Sequence, residues 1–279
     1  MTPRKRYRSD ASDAQWALVE PILAAWRAEC DARDPVRNRP RTDLREVWNA
    51  ILYVNRTGCG WEYVPHDLPN WSTVVSYFYA WRDVGLFEQI NTLLVKQERI
   101  RIGRAEEPTA GVMDTQSVKT AGTVPAGEQG IDPGKKIVGR KRGIFTDTLG
   151  LILAILVTAA SLSDNTHGIA LLDQVHANHP EISMAWVDQG FRKQVAERGA
   201  DLGIRVVTVP TPDDAGPGFH VVKRRWVVER SFGTLMFARR LVRDYEKQAS
   251  SSKAMIYLAQ TAMLTKRLTG QTTPTWRGC

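Results

Sequence analysis

Three acidic residues of this sequence stand where carboxylates can do chemistry together. Asp114 follows the apolar run "AGVM" and Asp188 follows "SMAWV", so each is predicted to end a β-strand. Glu229 lies in "RRWVVERSFG", on a predicted helix. Three carboxylates that meet at a sheet edge repel one another unless a cation neutralises them, and open sites of hard oxygen ligands favour Mg²⁺. Two such ions can hold the attacking and leaving oxygens of an in-line phosphoryl displacement, and that is the chemistry these residues predict.

The alternative is that these three acids are unrelated surface residues, since the chain has 30 aspartates and glutamates. Their settings favour the metal site, because two predicted strand ends are followed by a helix rich in arginine. Arg225 lies one turn before Glu229 on the same face of that helix.

A glycine-rich, basic stretch covers residues 121–143, and it does not match a nucleotide-binding loop. A P-loop needs a glycine, four intervening residues, Gly-Lys and then a hydroxyl, but Gln129 stands where the first glycine belongs and Lys136 where the hydroxyl belongs. We interpret the stretch as a flexible cradle for the phosphates of a nucleic acid, with a solvated loop as the alternative. Its cations are Lys135, Lys136, Arg140, Lys141 and Arg142.

The elements that must position the acids begin near residue 110. From there the pattern predicts a strand, a hairpin around Thr148-Leu149-Gly150, a helix, a strand, a helix and a strand. Two long amphipathic helices follow, "VVKRRWVVERSFGTLMFARRLVRDYE" and "SSKAMIYLAQTAMLTKRLTG". This order is typical of an α/β fold with a mixed sheet.

The first 100 or so residues are predicted to be helical. Helix starts are expected at Ser12 or Asp13, at Thr42 or Asp43, and at Ser72 or Thr73 in "WSTVVSYFYAWR". Two helices joined by a short turn resemble a helix-turn-helix, which would bring the third helix to DNA. The alternative is a small helical bundle whose aromatic residues form its core. The candidate DNA contacts on the third helix are Ser72, Thr73 and Arg82.

The composition is that of an ordinary globular protein with a basic surplus. The formal net charge is +8 and the pI is about 9.5, which favours a polyanionic partner, although many basic proteins bind none. Three scattered cysteines predict neither a disulfide framework nor a zinc site. The longest apolar run, residues 149–162, is too short to span a bilayer, and the N-terminus does not resemble a signal peptide. A cytoplasmic setting without a membrane partner is therefore expected.

The segments "GVMDTQSVKT", "GKKIVGRKRGIFTDTLGLIL", "AWVDQGF" and "RRWVVERSFG" together resemble the DDE transposases of bacterial insertion sequences. The most similar branch is insertion-sequence family five, within the four/five group, and "SDAQWALVEPIL" resembles the helical module of that branch. The resemblance implies a helix-turn-helix-like DNA-binding domain over 1–104 and an RNase H-like catalytic domain over 105–279. It also implies that Asp114, Asp188 and Glu229 are catalytic and hold two Mg²⁺ or Mn²⁺ ions.

The function implied by the resemblance is transposition of an insertion sequence. The protein would bind the terminal inverted repeats, cleave the DNA as a metal-dependent endonuclease, and transfer the 3′-OH ends to target DNA. A homodimer in a synaptic complex is the expected assembly. One alternative is a catalytically inactive DNA-binding protein derived from a transposase, and another is an RNase H-like nuclease that acts on RNA–DNA hybrids or junctions.

The chain departs from the pattern of the four/five group, which is Tyr, two residues, Arg, three residues, Glu, six residues, Lys. Arg225 and Glu229 match, but Val222 replaces the tyrosine and Met236 the lysine. Many members also carry a histidine where this chain has Gly143 after "GRKR". Further candidate DNA contacts in the catalytic part are Lys119, Arg224, Arg225, Arg239 and Arg240, of which the last two are expected to take over the lysine's phosphate contact.

Overall fold

A computed structural model describes residues 4–34, 42–191, 193–209 and 225–271 of the 279-residue chain, without the side chain of Arg225. The chain divides into two compact units. The first comprises the described residues of Met1–Arg101, Phe237–Leu241 and Ala254–Cys279, and the second those of Ile102–Met236 and Val242–Lys253. Within the described residues, no helix is both long enough and apolar enough to cross a membrane.

Helices dominate the first unit, as the sequence predicted. Ser12 caps the first helix in a capping box with Gln15, and Asp43 caps the second by accepting a hydrogen bond from the backbone N–H of Arg45. Asn70 caps the third helix, so the predicted start at Ser72 or Thr73 is wrong by two or three residues. The helices are α1 (Asp13–Arg33), α2 (Leu44–Thr57), α3 (Trp71–Asp83) and α4 (Leu86–Arg101).

The core of the first unit is aromatic. Trp48, Phe78 and Trp81 are buried, and the rings of Trp48 and Trp81 lie 6.2 Å apart. Phe87 of α4 packs against Phe78 with a centroid distance of 5.3 Å. Such pairs at 4.5–7 Å add to the free energy that burial alone provides, by about 0.5–1.5 kcal/mol each.

The connections between these helices differ from the predicted arrangement. Residues 58–70 join α2 to α3 and include a short 3₁₀ turn, Trp61–Tyr63, so this connection is longer than the about four residues of a helix-turn-helix. The short turn lies instead between α3 and α4. There Gly85 adopts a φ of 73°, a left-handed conformation that glycine reaches without strain.

A mixed β-sheet forms the centre of the second unit, in the order β2-β3-β1-β5-β6, with β4 paired to β3. Strand β1 is antiparallel to β3 and parallel to β5, and β5 is parallel to β6. The predicted α/β class with a mixed sheet is therefore confirmed. The strands are β1 (Ala110–Lys119), β2 (Gly130–Asp132), β3 (Ile137–Asp147), β4 (Ile152–Ala159), β5 (Met184–Val187) and β6 (Arg205–Thr208). The helices are α5 (Asp164–Asn178), α6 (Lys193–Asp201), α7 (Arg225–Leu235) and α8 (Ala249–Leu268). Of α8, residues up to Lys253 belong to the second unit and those from Ala254 to the first.

The single long helix predicted over residues 221–246 is wrong within the described residues. Helix α7 ends at Leu235, a short 3₁₀ turn spans Arg239–Leu241, and Asp244 forms an isolated parallel bridge with Thr120 at the end of β1. The segment around Asp244 is extended because it forms hydrogen bonds with the end of β1, and these tertiary contacts override the helical periodicity of the sequence.

Candidate active site

The strands β1 and β5 bring two of the predicted acids to neighbouring positions. Their parallel register pairs Gly111 with Ala185 and Val112 with Trp186. The pairing ends there; extended by two residues, the same register would bring Asp114 opposite Asp188, with both side chains on one face. Asp188 directly follows the last residue of β5, as predicted.

The prediction that Asp114 ends its strand is wrong. Strand β1 continues to Lys119 because it pairs with β3 along this whole stretch, from Gly111 opposite Asp147 to Lys119 opposite Gly139. On the other edge of β1, the pairing with β5 ends at Val112, before Asp114. The acid therefore lies where one ladder stops and the other continues.

Each of the two aspartates is oriented by a backbone N–H close to it in sequence. The N–H of Thr115 donates to Oδ1 of Asp114 at 2.7 Å, and the N–H of Gly190 donates to Oδ1 of Asp188 at 2.9 Å. Both residues are only partly buried. A carboxylate that is fixed in direction yet reaches solvent is suited to bind a ligand.

A polar network on the opposite face of β1 fixes the strand just after Asp114. Thr115 Oγ1 donates to Oδ1 of Asp164 at 2.7 Å, and the ammonium of Lys141 lies 3.0 Å from the same oxygen. Burial would raise the pKa of Asp164, but the bonds from Thr115 and Lys141 hold that pKa below its usual value. Asp132, which accepts from Ser117, also has a lowered pKa, because that bond, the Lys135 backbone N–H and the Lys141 charge outweigh its burial.

Helix α7, which packs on the sheet at β1 and β3, carries the third predicted acid. Val228, Phe232 and Leu235 form its buried side, and α7 packs against β1 and β3. Ser231 Oγ donates to the carbonyl of Gly150 at 2.9 Å, which ties the helix to the turn between β3 and β4. Because α5 covers the face of Thr115, we place α7 on the other face, from which Asp114 projects. Glu229 is half-buried on this helix.

The three acids do not form one closed cluster. Within the described ranges, no three His, Cys, Asp or Glu side chains are grouped closely enough to hold a metal ion. Asp114 and Asp188 follow the paired ends of β1 and β5, and two such carboxylates are the hard oxygen donors that a divalent cation such as Mg²⁺ prefers. Glu229 lies on α7, which packs against β1. That these three residues are metal ligands stays a prediction.

The interpretation of residues 121–143 as a flexible phosphate cradle is wrong for three of its cations. Arg140, Lys141 and Arg142 belong to β3, and the arginines are 0% and 1% exposed. Arg140 donates to Asp244 Oδ1 at 3.1 Å, and Arg142 lies 3.5 Å from Asp244 Oδ2. Burial lowers the pKa of the Arg142 guanidinium, which the Asp244 charge counters. Glu128 also lies 3.1 Å from Arg140, so these cations already hold internal carboxylates.

Other predicted DNA contacts of the second unit remain exposed. Lys135 and Lys136 lie in the turn between β2 and β3, and Lys119 ends β1. Their contact with DNA stays a prediction. Arg224 and Val222 lie outside the described residues, as does the side chain of Arg225.

The predicted contacts in the first unit have mixed surroundings. Ser72 is exposed and Thr73 half-exposed on the first turn of α3. Arg82 pairs with Asp83 at 2.6 Å, so its charge is already countered. Arg239 is exposed. Arg240 is buried, and it donates to the carbonyl of Cys59 at 2.9 Å, contrary to the expected phosphate contact.

Sequence reasoning missed the residues that support the acids, chiefly Thr115, Asp164 and Asp244. Alternation along β1 and β3 gave a usable signal, since Thr115, Ser117 and Lys141 share one face and imply a polar partner above it. Asp244 gave no local signal, because its partners Arg140 and Arg142 lie about a hundred residues earlier in the chain.

Comparison with known proteins gives two family matches. Residues 11–91 match a family described as "Putative transposase of IS4/5 family", and residues 105–264 match the "Transposase DDE domain". One curated relative, the "Putative transposase for insertion sequence element IS402" of Burkholderia cepacia, is 31% identical over 128 residues. That alignment covers 43% of this chain and 60% of the relative, so the chain spans somewhat over half of the relative's length. Together with the mixed sheet, the domain match confirms the RNase H-like α/β fold.

Proposed function

Because this chain belongs to the DDE transposases of IS4/5-type insertion sequences, we propose that it binds the ends of its element, hydrolyses the phosphodiester there and transfers the 3′-OH to target DNA. The observation that supports this most strongly is the parallel register of β1 and β5, whose continuation by two residues would bring Asp114 opposite Asp188. Each carboxylate is held by a backbone N–H, so the pair is preorganised for its ligand.

In this proposal Asp114, Asp188 and Glu229 hold the divalent ions, two Mg²⁺ or Mn²⁺. Such ions supply a water of lowered pKa and neutralise charge at the phosphate when they are bound. The Thr115 and Gly190 N–H groups fix the orientation of the two aspartates, and α7 carries Glu229 over the face of β1 from which Asp114 projects. Hydrolysis and strand transfer use the same in-line geometry, with water as the first nucleophile and the 3′-OH as the second. No covalent protein intermediate is required.

The proposed division of labour follows the chain. Residues 1–104 bind the terminal inverted repeats, and residues 105–279 carry out the chemistry. Two ends must be joined to one target, so a homodimer that holds both ends in a synaptic complex is the proposed assembly. Its substrates are double-stranded DNAs, and the proposed location is the cytoplasm.

The test is cleavage of a labelled duplex that carries the element's own terminal repeats, in Mg²⁺ or Mn²⁺. Asp114→Asn, Asp188→Asn and Glu229→Gln should each lower the cleavage rate by roughly two orders of magnitude, on the scale of removing a preorganised electrostatic group. DNA binding should persist in all three variants. Double variants should add little, since ligands of one site act as a unit. Glu181→Gln, at an exposed acid outside the site, is the matched control and should cleave like the parent.

The outcomes separate the alternatives. If Glu229→Gln cleaves like the parent while Asp114→Asn does not, the third ligand lies elsewhere. If the parent binds its ends but never cleaves them in either ion, the chain is a DNA-binding protein derived from a transposase. Met236, where the four/five pattern has lysine, favours this second candidate, and replacing Val222 by Tyr and Met236 by Lys would then restore cleavage of a decayed copy. Cleavage of RNA–DNA hybrids without joining would indicate a nuclease of the RNase H type.

A further inference from the structure

The segment that follows α7 alternates between buried acids and exposed residues. Asp244 and Glu246 are 1% and 5% exposed, whereas Arg243, Tyr245 and Lys247 are exposed to solvent. Such alternation is the pattern of an extended chain with one inner and one outer side. The outer side is basic and aromatic.

The segment is joined to the end of β1 by a parallel bridge between Thr120 and Asp244. The N–H of Asp244 donates to the carbonyl of Lys119 at 2.9 Å, and the N–H of Ala121 donates to the carbonyl of Asp244 at 2.7 Å. One residue earlier on each chain, this register sets Arg243 beside Lys119. Both side chains are exposed and lie on the same face.

Like charges at neighbouring positions of a sheet repel each other, so this arrangement is destabilising without an anion. Among the side chains that the structure describes, no carboxylate forms an ion pair with Lys119, Arg243 or Lys247. The neighbouring arginines on β3, in contrast, form ion pairs with Asp244 and Glu128. Cations that lie together without acids are the surface that a polyanion neutralises.

Buried Arg140 holds the segment in this form. Its guanidinium donates to Oδ1 of Asp244 at 3.1 Å and to the backbone carbonyls of Glu246 at 2.7 Å and Lys247 at 3.2 Å. Ser252 donates to the other oxygen of Asp244. The exposed cations are therefore carried on a fixed backbone, and less entropy is lost when they bind a ligand.

We propose that Lys119, Arg243, Tyr245 and Lys247 form a basic strip that binds the phosphate backbone of duplex DNA outside the active site. This inference rests on the proposed function for the identity of the polyanion. Lys119 lies five positions after Asp114 on β1, about 17 Å along the strand at 3.3–3.4 Å per residue. Because five is an odd number of positions, its side chain lies on the opposite face of β1 from Asp114, so the strip contacts a part of the duplex away from the acids.

The test is the salt dependence of duplex binding, measured by fluorescence anisotropy with a labelled duplex that carries the element's end. Exchanging the strip's three cations for glutamine should weaken binding. The slope of log K against log salt should fall by about 0.9 for each phosphate that the protein no longer neutralises, so by up to about 2.7. The strip variant combines Lys119→Gln, Arg243→Gln and Lys247→Gln.

A matched control removes the same number of charges from other exposed positions of the second unit. It combines Arg104→Gln, Lys193→Gln and Arg205→Gln, and it should keep the parent's slope. A third variant that exchanges lysine and arginine at the strip retains its charge and should also keep the slope, which separates the removal of phosphate-binding charges from damaged folding.

Each outcome bears on a different statement. A strip variant with the parent's slope overturns the strip while the proposed transposase function stands. Equal decreases of the slope in the strip and control variants would mean that only net charge matters, which also overturns it. A parent that binds no duplex at low salt would overturn both the strip and the proposed function.

Discussion

Replacing Arg140 by methionine should destabilise the second unit by about 3–5 kcal/mol, the cost of leaving one partner of a buried ion pair uncompensated. The structure sets the magnitude within that range. Asp244 is 1% exposed, and in the variant it would lose the guanidinium at 3.1 Å. It would keep Arg142 at 3.5 Å and the Ser252 hydroxyl, which favours the lower end of the range of destabilisation. The carbonyl of Glu246 is deprived of a donor at 2.7 Å, which moves the value upward.

The assay is urea denaturation followed by circular dichroism, with any two transitions of the two units fitted separately. Lys136→Met, at an exposed position in the turn before β3, is the matched control and should stay within about 0.5 kcal/mol of the parent. Arg140→Lys should fall between the two, because an ammonium cannot donate to an acid and several carbonyls in the geometry of the guanidinium. In a double-mutant cycle with Asp244→Asn, the two decreases in stability should be clearly less than additive.

A decrease below about 1 kcal/mol for Arg140→Met, on the scale of an ordinary surface change, would refute this reasoning. It would mean that the guanidinium is solvated in solution and that the "GRKR" motif is available to phosphates after all. The measured change in the free energy of unfolding therefore distinguishes a buried, paired Arg140 from an Arg140 that is exposed to bind phosphates.

Three further predictions concern the face of the sheet under α5. Thr115→Val keeps the shape but removes the donor to Asp164, so it should cost about 1–2 kcal/mol by thermal denaturation and slow cleavage, while Thr115→Ser should restore both. Burial, with the Lys141 charge, lowers the pKa of His167 from 6.5 to about 4, so the unfolded chain binds the extra proton between these values. Stability should fall by about 3 kcal/mol as the pH drops from 6.5 to 4, and His167→Gln should lose that component of the pH dependence. Gly143→Ala should cost about 1–3 kcal/mol in urea, because the new Cβ would lie 2.7 Å from Nδ1 of His167, whereas Gly122→Ala meets open space and should not.

The candidate acids could be predicted because their settings are local in sequence. An apolar run that ends in a carboxylate identifies Asp188, and helical periodicity places Glu229 on a helix. The neighbourhood of Asp114 and Asp188 could not be predicted in the same way. It depends on the parallel register of β1 and β5, which joins segments about seventy residues apart and leaves no periodic signal in either.

The basic stretch shows the opposite case, in which a clear local signal gave the wrong environment. Five cations among glycines indicate exposure, because a charged side chain is rarely buried without a partner. Here the partner exists, but Asp244 lies on a segment about a hundred residues later that reaches β1 by a single bridge. Charge alone therefore did not distinguish Arg140, which is buried, from Lys136, which is exposed.

The predicted end of helix α7 was wrong for a related reason. The helical periodicity of the sequence continues past Leu235, but helix α7 ends there. The chain leaves the helix because the backbone of Asp244 forms hydrogen bonds with the end of β1 and the carbonyl of Glu246 accepts a hydrogen bond from Arg140. At the start of α3 the error was smaller and local. Asn70 and Ser72 are both good caps, and the asparagine side chain accepts the N–H of Ser72.

The departure at Gly143 leaves no gap in the fold, because a histidine from another element occupies the space. The family pattern places a histidine after "GRKR", whereas here the imidazole of His167 on α5 lies over the glycine. Its Nε2 is 2.7 Å from Oγ1 of Thr158, and its lowered pKa keeps it neutral beside the charge of Lys141. Lys141 binds Asp164, which in turn accepts from Thr115, and the charges of Lys141 and Asp164 both act on the imidazole, so the ring lies near the network that fixes β1 just after Asp114. A neutral, buried imidazole at this place can support the strand without competing for the anionic substrate, so the loss of the motif histidine does not by itself argue against an active enzyme.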